Sequence, residues 1–469
     1  MNMSVDTLPV HGSSRRKFLQ IAGGTAIVGG LAALSWRAAT SMRRPNAAGY
    51  GPLAPAKDEN TGLALIQLPA GFRYRSFGWT KDPLDDGTPT PGAHDGMAII
   101  RTEGTRAVIV RNHELSGRGK LFGKPESAFD TFGAGGCTTV VFDMATGTHL
   151  SSAISLNGTI QNCAGGPTPW GTWLSAEENV GDSTTLDTKD KKLVGYTKPH
   201  GWVFEVSGGA ASAPPKPLVD LGRFVHEAVA IDPRTGIVYL TEDSNPSGFY
   251  RMIPHKPGDL TRGGKLEMLA VTAREDLRKQ VPALAEFSVR WVPIADPTLV
   301  HQPNKEDGKG VFAQGAKQGG AMFARLEGVF YHEGRLFVNA TTGGDAEQGQ
   351  VWAYTPGEEK LQLLFESPGK EVLNMPDNLC ASPRGCLVMC EDGDRLGQRL
   401  QGLTPDGQLF AFAENNAQLN GEKNGFKGDF RALEWSGVCF SPDGKWLFAN
   451  LQTPGLTLAI TGPWDKGPF

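Results

Sequence analysis

Acidic residues recur in this 469-residue chain at places where short apolar strands begin and end. They are Asp95, Glu114, Glu177, Glu178, Glu227, Glu242, Asp243, Glu327, Asp377, Glu391, Asp392 and Glu434, and they are joined by His113 and Cys163. If the fold brings them to one place, several carboxylates share a cavity. Two like charges roughly 4 Å apart repel by about 4 kcal/mol at an effective dielectric of 20, so such a cluster must take up protons or cations. Asp, Glu and Asn oxygens suit hard ions, above all calcium with its six to eight oxygen ligands. Cys163 departs from that chemistry, because a thiolate among carboxylates points to a softer transition metal, iron or zinc, beside the calcium. Arg325 lies two residues before Glu327, on the same face of a strand. Its guanidinium either balances a neighbouring Glu or offers a two-pronged fork to an anionic substrate such as phosphate.

The elements that must position these residues repeat six times. Asp95-Gly96-Met97 leads into Ala107-Val108-Ile109-Val110 and Asn112-His113-Glu114, and Cys163-Ala164-Gly165 leads to Trp173-Leu174 and Glu177-Glu178. Glu227-Ala228-Val229 turns at Asp232-Pro233-Arg234-Thr235-Gly236 into Val238-Tyr239-Leu240 and Glu242-Asp243. Glu327-Gly328-Val329, Asp377-Asn378-Leu379 and Ser436-Gly437-Val438 begin the remaining units, with Glu434 just ahead of the last. Successive units start 50 to 100 residues apart, which is the signature of blades carrying insertions. Short apolar strands bounded by Pro, Asp, Asn and Gly form hairpins, and a hairpin returns the chain to its starting end. Third strands follow at Gly201–Glu205, Gly248–Arg251 and Gln350–Tyr354. The pattern predicts an all-β, six-bladed β-propeller with inserted loops and short helices, its leading acids converging on one central mouth. Alternation along a strand allows only one of each adjacent acidic pair to face that mouth.

Composition agrees with this class. Gly 61 and Pro 32 with 20% charged residues suit a turn-rich β chain, and a net charge of -4 with pI near 6.2 excludes a basic face for nucleic acid. Ser13-Ser14-Arg15-Arg16-Lys17-Phe18-Leu19 followed by an apolar, Gly-rich run from Ile21 to Leu34 has the form of a twin-arginine export signal. That run is shorter than a membrane span requires, although an uncleaved signal would remain as an anchor. Residues 1–46 are therefore read as signal and linker and 47–469 as a single propeller domain, with a Pro- and Gly-rich linker continuing to Glu59. Export to the periplasm or beyond permits disulfides among Cys137, Cys163, Cys380, Cys386, Cys390 and Cys439, whose spacing leaves the pairing open, and Cys380, Cys386 and Cys390 are read as buried thiols.

The chain resembles the PhoX family of twin-arginine-exported alkaline phosphatases over nearly all of its mature length. The resemblance is carried by His94-Asp95-Gly96-Met97, Arg111-Asn112-His113-Glu114, Asn162-Cys163-Ala164-Gly165-Gly166-Pro167 through Trp170-Gly171, and Gly222–Ala228. Ala324-Arg325-Leu326-Glu327-Gly328, Met375–Leu379, Cys390–Gly393 and the tail from Phe440 to Trp464 extend it. It implies iron and calcium at the axis of a six-bladed propeller that hydrolyses phosphate monoesters. Cys163 would ligate iron; Glu178, Glu227, Glu327 and Glu391 would be further ligands, joined by Glu114, Glu242, Asp377 and Glu434. Arg325 would bind the phosphate, with Arg325, Cys163 and Glu327 at the heart of catalysis and no protein nucleophile needed. The implied partners are a small phosphorylated substrate and the twin-arginine translocation machinery, with the chain itself a monomer. Ala176 departs from the family pattern, which has a second cysteine before the Glu-Glu pair, and the chain is compact. A calcium-dependent hydrolase of the lactonase type, or a metal-binding propeller without turnover, would share the acids but have no need of Cys163.

Overall fold

Antiparallel hairpins form wherever an apolar strand is followed by a turn residue able to reverse it. At Asp232 the side chain accepts the N–H of Arg234 (3.0 Å), and Gly236, at φ +73°, returns its N–H to the Asp232 carbonyl (2.8 Å). A computed structural model of the chain describes residues 49–117, 119–301 and 309–469. The expected export signal lies outside the described residues. Among those residues no helix is long and apolar enough to cross a membrane.

Six hairpins carry the segments singled out above. Their first strands are His94–Glu103, Asn162–Pro167, His226–Ile231, Leu326–His332, Pro376–Ala381 and Trp435–Phe440. Their partners are Arg106–His113, Trp173–Glu177, Val238–Glu242, Arg335–Ala340, Leu387–Glu391 and Leu447–Leu451. Each first strand packs beside the next, and Trp435–Phe440 packs beside His94–Glu103, so the six close a ring. Five first strands slip register right after their first paired residue, between His94 and Met97, Asn162 and Gly165, His226 and Val229, Leu326 and Val329, and Pro376 and Leu379, and the sixth slips one residue further in, between Ser436 and Cys439. A bulge leaves its extra residues out of the ladder and bends the strand, which re-aims a side chain. The bulged residues include Asp95, Cys163, Glu227, Glu327 and Asp377. Close approach between neighbouring first strands requires small residues there: a Cβ on Gly96 would lie 2.6 Å from the Ala164 Cα, and one on Gly328 would lie 2.6 Å from the Asp377 carbonyl oxygen.

Outside the ring the sheets depart from six separate blades. Gly135–Asp143 and Thr148–Thr159 complete a four-stranded first sheet, whereas the second ends with Val203–Val206. The third and fourth hairpins belong to one nine-stranded sheet, because Glu286–Pro293 pairs with Gly264–Val271 on one side and Lys360–Glu366 on the other. The fifth sheet is extended by Ile66–Pro69 and Leu53–Ala56, and the sixth by Arg73–Phe77, which lies on Leu456–Thr461. Leu53–Ala56 falls in the stretch expected to be a linker; it is instead a strand, because its backbone pairs with Ile66–Pro69 in register. The architecture is thus all-β and propeller-like, with a single short α-helix at Val311–Ala316 among the described residues. Apolar side chains fill the space between sheets, including the fully buried Trp352 and Trp435. All six cysteines are buried and free.

Candidate active site

Each of the six hairpins is closed at the same end by one backbone hydrogen bond. The residue just after the second strand donates its N–H to the carbonyl of the residue just before the first strand: Glu114 to Ala93 (2.9 Å), Glu178 to Gln161 (2.9 Å), Asp243 to Val225 (3.0 Å), Thr341 to Arg325 (2.8 Å), Asp392 to Met375 (3.0 Å) and Gln452 to Glu434 (3.3 Å). Ala93, Gln161, Arg325 and Met375 all have left-handed φ between +46° and +54°, a strained conformation for residues other than glycine. Strain that recurs at one position of four units marks the end of the ring where function is concentrated.

Strand alternation then sorts each acidic pair. The first member faces the body of its own sheet. Glu177 accepts the N–H groups of Ile160 (2.9 Å), Gly201 (2.8 Å) and Trp202 (3.1 Å) and pairs with His200 Nδ1 (2.7 Å). Glu242 accepts from the Gly248 N–H (2.9 Å) and the Tyr250 hydroxyl (2.8 Å) and touches His301. Glu391 is held by the Asn374 and Arg399 N–H groups (both 3.0 Å), by Gln401 (3.1 Å) and by the Arg399 guanidinium (2.8 Å). Glu242 and Glu391, expected among the ligands, are therefore placed inside their blades and are engaged there. The second member turns to the axis, as Glu178 and Asp243 do.

Four groups of donors result, the atoms within each lying within 4.8 Å of one another: Cys163, Glu178 and Glu227; Asp95, Glu114 and Glu434; Glu178, Asp243 and Glu327; and Glu227, Glu327 and Asp377. The structure thus brings together Cys163, Glu114, Glu178, Glu227, Glu327, Asp377 and Glu434 from the expected set and adds Asp95 and Asp243. Each like-charged pair at such a distance costs about 3–4 kcal/mol at an effective dielectric of 20. Burial raises the carboxyl groups of Asp95, Glu227 and Glu434 well above the usual range, and their acidic neighbours, Glu114 for Asp95, Glu327 for Glu227 and Asp392 for Glu434, raise them further. Burial, then Glu227 and Glu178, push the Cys163 thiol up as well; its Sγ lies 2.9 Å from Glu227 Oε2. A thiol and many carboxyls crowded into a site that cannot hold their charges unaided are a donor set suited to several cations, one of them thiophilic.

Arg325 stands at the edge of this cluster. Nε and Nη2 form a fork on the Asp243 carboxylate (2.7 and 3.0 Å), and Nη2 also contacts Glu327. Of the two alternatives drawn from the sequence, the geometry shows the charge-balancing one, an ion pair with Asp243 and Glu327 at the edge of the acidic cluster.

Two further sets of residues escaped the sequence reading. Gln161 and Gln452 place side-chain amides among the acids: Gln161 Nε2 donates to Glu178 Oε2 (2.9 Å) and Glu114 Oε1 (3.3 Å), and Gln452 Nε2 donates to Glu114 Oε2 (2.5 Å) and Asp95 Oδ2 (3.1 Å). Behind the ring, side chains on second strands hold bulge carbonyls of the neighbouring hairpin. Asn112 donates to Ala164 (2.6 Å) and Cys163 (3.2 Å), Thr241 to Glu327 (2.6 Å), Asn339 to Asp377 (2.7 Å) and Asn450 to Asp95 (2.7 Å). Buried Asn or Thr one residue before the strand end was the available signal, seen in Asn112-His113, Thr241-Glu242 and Asn450-Leu451.

Comparison with known proteins gives the chain its family. No curated protein matches the chain. Among solved structures, the PhoX of Pseudomonas fluorescens in complex with vanadate, a transition state analogue, aligns over 90% of this chain and 99% of its own at 17% identity and TM-score 0.64. A gluconolactonase of Xanthomonas campestris aligns over 89% and 99% at 13% identity and TM-score 0.40. The model of the family described as alkaline phosphatase PhoX matches residues 48–149 and 141–455. Matched through both stretches, and so over most of its length, this chain belongs to the alkaline phosphatase PhoX family.

Proposed function

We propose that the protein hydrolyses phosphate monoesters at a multinuclear iron and calcium site on the axis of a six-bladed propeller. Membership of the alkaline phosphatase PhoX family makes it a phosphoric monoester hydrolase with small phosphorylated substrates. The observation that carries the finer proposal is the adjacency of a thiol-containing donor group, Cys163, Glu178 and Glu227, to the oxygen-only groups Asp95, Glu114 and Glu434; Glu178, Asp243 and Glu327; and Glu227, Glu327 and Asp377. The first would hold iron and the others calcium, by ligand softness. When bound, such cations supply Lewis acidity to the phosphoryl oxygens and lower the pKa of water. The six-blade count divides the nine-stranded sheet at Glu286–Pro293, so that each ring hairpin heads a blade of its own.

The chain's residues then do the following work. Arg325 receives two phosphoryl oxygens on the fork that Asp243 occupies, exchanging one carboxylate for another anion of matching geometry. Glu327 holds the guanidinium at the mouth while facing Glu178 and Asp377. The buried walls exclude bulk water, which strengthens each of these contacts in the transition state. Export by the twin-arginine route to the periplasm, as a monomer, completes the proposal and rests on the sequence pattern at Arg15-Arg16.

Elemental analysis of protein purified without chelators tests the metals; iron with more than one calcium per chain is the expected result, and calcium alone would favour a lactonase-type hydrolase. Cys163→Ala is expected to abolish both iron content and turnover of p-nitrophenyl phosphate. Full activity in that variant would remove the thiolate from the reaction.

A further inference from the structure

Glu114, at the mouth, receives a side-chain amide on each of its two oxygens. Gln161, from the second hairpin, donates to Oε1, and Gln452, from the sixth, donates to Oε2, while Glu114 itself ends the first. The same two amides reach outward, Gln161 to Glu178 and Gln452 to Asp95. Each is itself fixed. Asn179 Nδ2 donates to Gln161 Oε1 (3.1 Å), which sets the Gln161 amide with its nitrogen toward the acids, and the Gln452 backbone N–H is tied to the Glu434 carbonyl. Gln161 enters its strand with φ +46°, so strain is accepted at the position that carries this side chain.

The choice of amide is informative. An Arg or Lys in the same place would neutralise the carboxylates and compete with a cation. A neutral amide donor occupies one lone pair of an oxygen and leaves the other, with the full negative charge, for a metal ion. Two amides on opposite oxygens of one carboxylate fix its plane.

We propose that Gln161 and Gln452 are positioning residues that clamp Glu114 between the Asp95, Glu114 and Glu434 group and the Glu178 side of the mouth, and so set the affinity of the oxygen-only site for a hard divalent cation. This rests on the metal-site reading above. Groups that orient metal ligands from behind typically change affinity by about 10–100-fold when removed.

The test is calorimetric titration of metal-depleted full-length protein with calcium alone, for the wild type and for Gln161→Met and Gln452→Met, which keep side-chain length and lose the donor. Each is expected to weaken calcium binding by at least about tenfold. In a Glu114→Gln background the same substitutions should add little, because they act through that carboxylate. Binding within twofold of wild type in both variants would overturn the clamp while leaving the metal site standing. Absence of calcium binding in the wild type would overturn the metal-site reading and the clamp with it. If a methionine variant fails to fold, Asn179→Ala, which frees the Gln161 amide to turn, gives the second measurement, with a several-fold loss expected and an unchanged affinity counting against the proposal.

Discussion

Arg325 shows how much a single side chain depends on its partners. Its guanidinium makes two bonds to the separate oxygens of the Asp243 carboxylate, so a phosphoryl group that displaces Asp243 finds the fork already formed. Lysine carries the same charge but cannot make two parallel bonds. Arg325→Lys is therefore expected to lower kcat/KM for phosphate esters by roughly tenfold or more with metal content unchanged, and Arg325→Ala by more. Steady-state kinetics with elemental analysis of the same samples check this, and unchanged kinetics would leave Arg325 as a charge-balancing residue. At this scale the sequence was legible for single acids and less so for pairs. Cys163, Glu227, Glu327 and Asp377 stand alone at the head of a strand, and all four come together. Glu242-Asp243 and Glu391-Asp392 each offer two candidates one residue apart. Which of the two faces the axis follows from strand register: Glu242 pairs with His226 and Glu391 with Pro376 as the last ladder positions, so both point into the blade and the following residue does not. Arg399, eight residues after Glu391, is the partner that a register-aware reading would have sought.

Among the elements, the bulge is what turns a hairpin into a ligand-bearing unit. It occurs in all six first strands, five times at one position, and in four cases the carbonyl it exposes is held by an Asn or Thr from the hairpin before it. Thr241 does this most economically: its Oγ1 donates to the Glu327 carbonyl and accepts the Ala228 N–H (2.9 Å), so one hydroxyl serves two bulges. Thr241→Val keeps the shape and leaves a buried donor and a buried acceptor without partners. It is expected to cost about 1–3 kcal/mol in urea denaturation, whereas Thr241→Ser should cost much less. Equal losses in both would show that packing of the methyl group, and not the hydroxyl, matters there. The hairpins themselves were legible because turn residues and apolar runs are local signals. The nine-stranded sheet was not, since the pairing of Phe287 with Leu361 joins strands more than seventy residues apart and no local pattern announces it. Nor was Leu53–Ala56, whose Pro55 reads as linker but sits at a sheet edge, where a missing N–H does no harm.

For the molecule as a whole, the long connections that follow Glu114 and Glu178 must be fastened to the ring, and a buried charged triad does so. His200 is fully enclosed, with Nδ1 2.7 Å from Glu177 and Nε2 3.5 Å from Asp130, which in turn accepts the N–H groups of Thr197 (2.6 Å) and Lys198 (2.9 Å). Burial alone would depress the imidazole pKa, but Glu177 and then Asp130 outweigh it and raise it from 6.5 to about 9. A protonated His200 joins one connection to the other and both to the second hairpin. Because the folded-state pKa is the higher one, this stabilisation is complete below pH 6.5 and is lost as pH rises through about 9, where the triad is left with two carboxylates and no cation. A shift from 6.5 to about 9 corresponds to roughly 3 kcal/mol. Urea denaturation from pH 6 to 10 should therefore show the wild type losing about that much more stability than His200→Asn, which carries no proton to lose. Parallel curves for the two proteins would mean that His200 is held neutral and that the two connections are fastened by packing on Phe129 and Tyr196 instead.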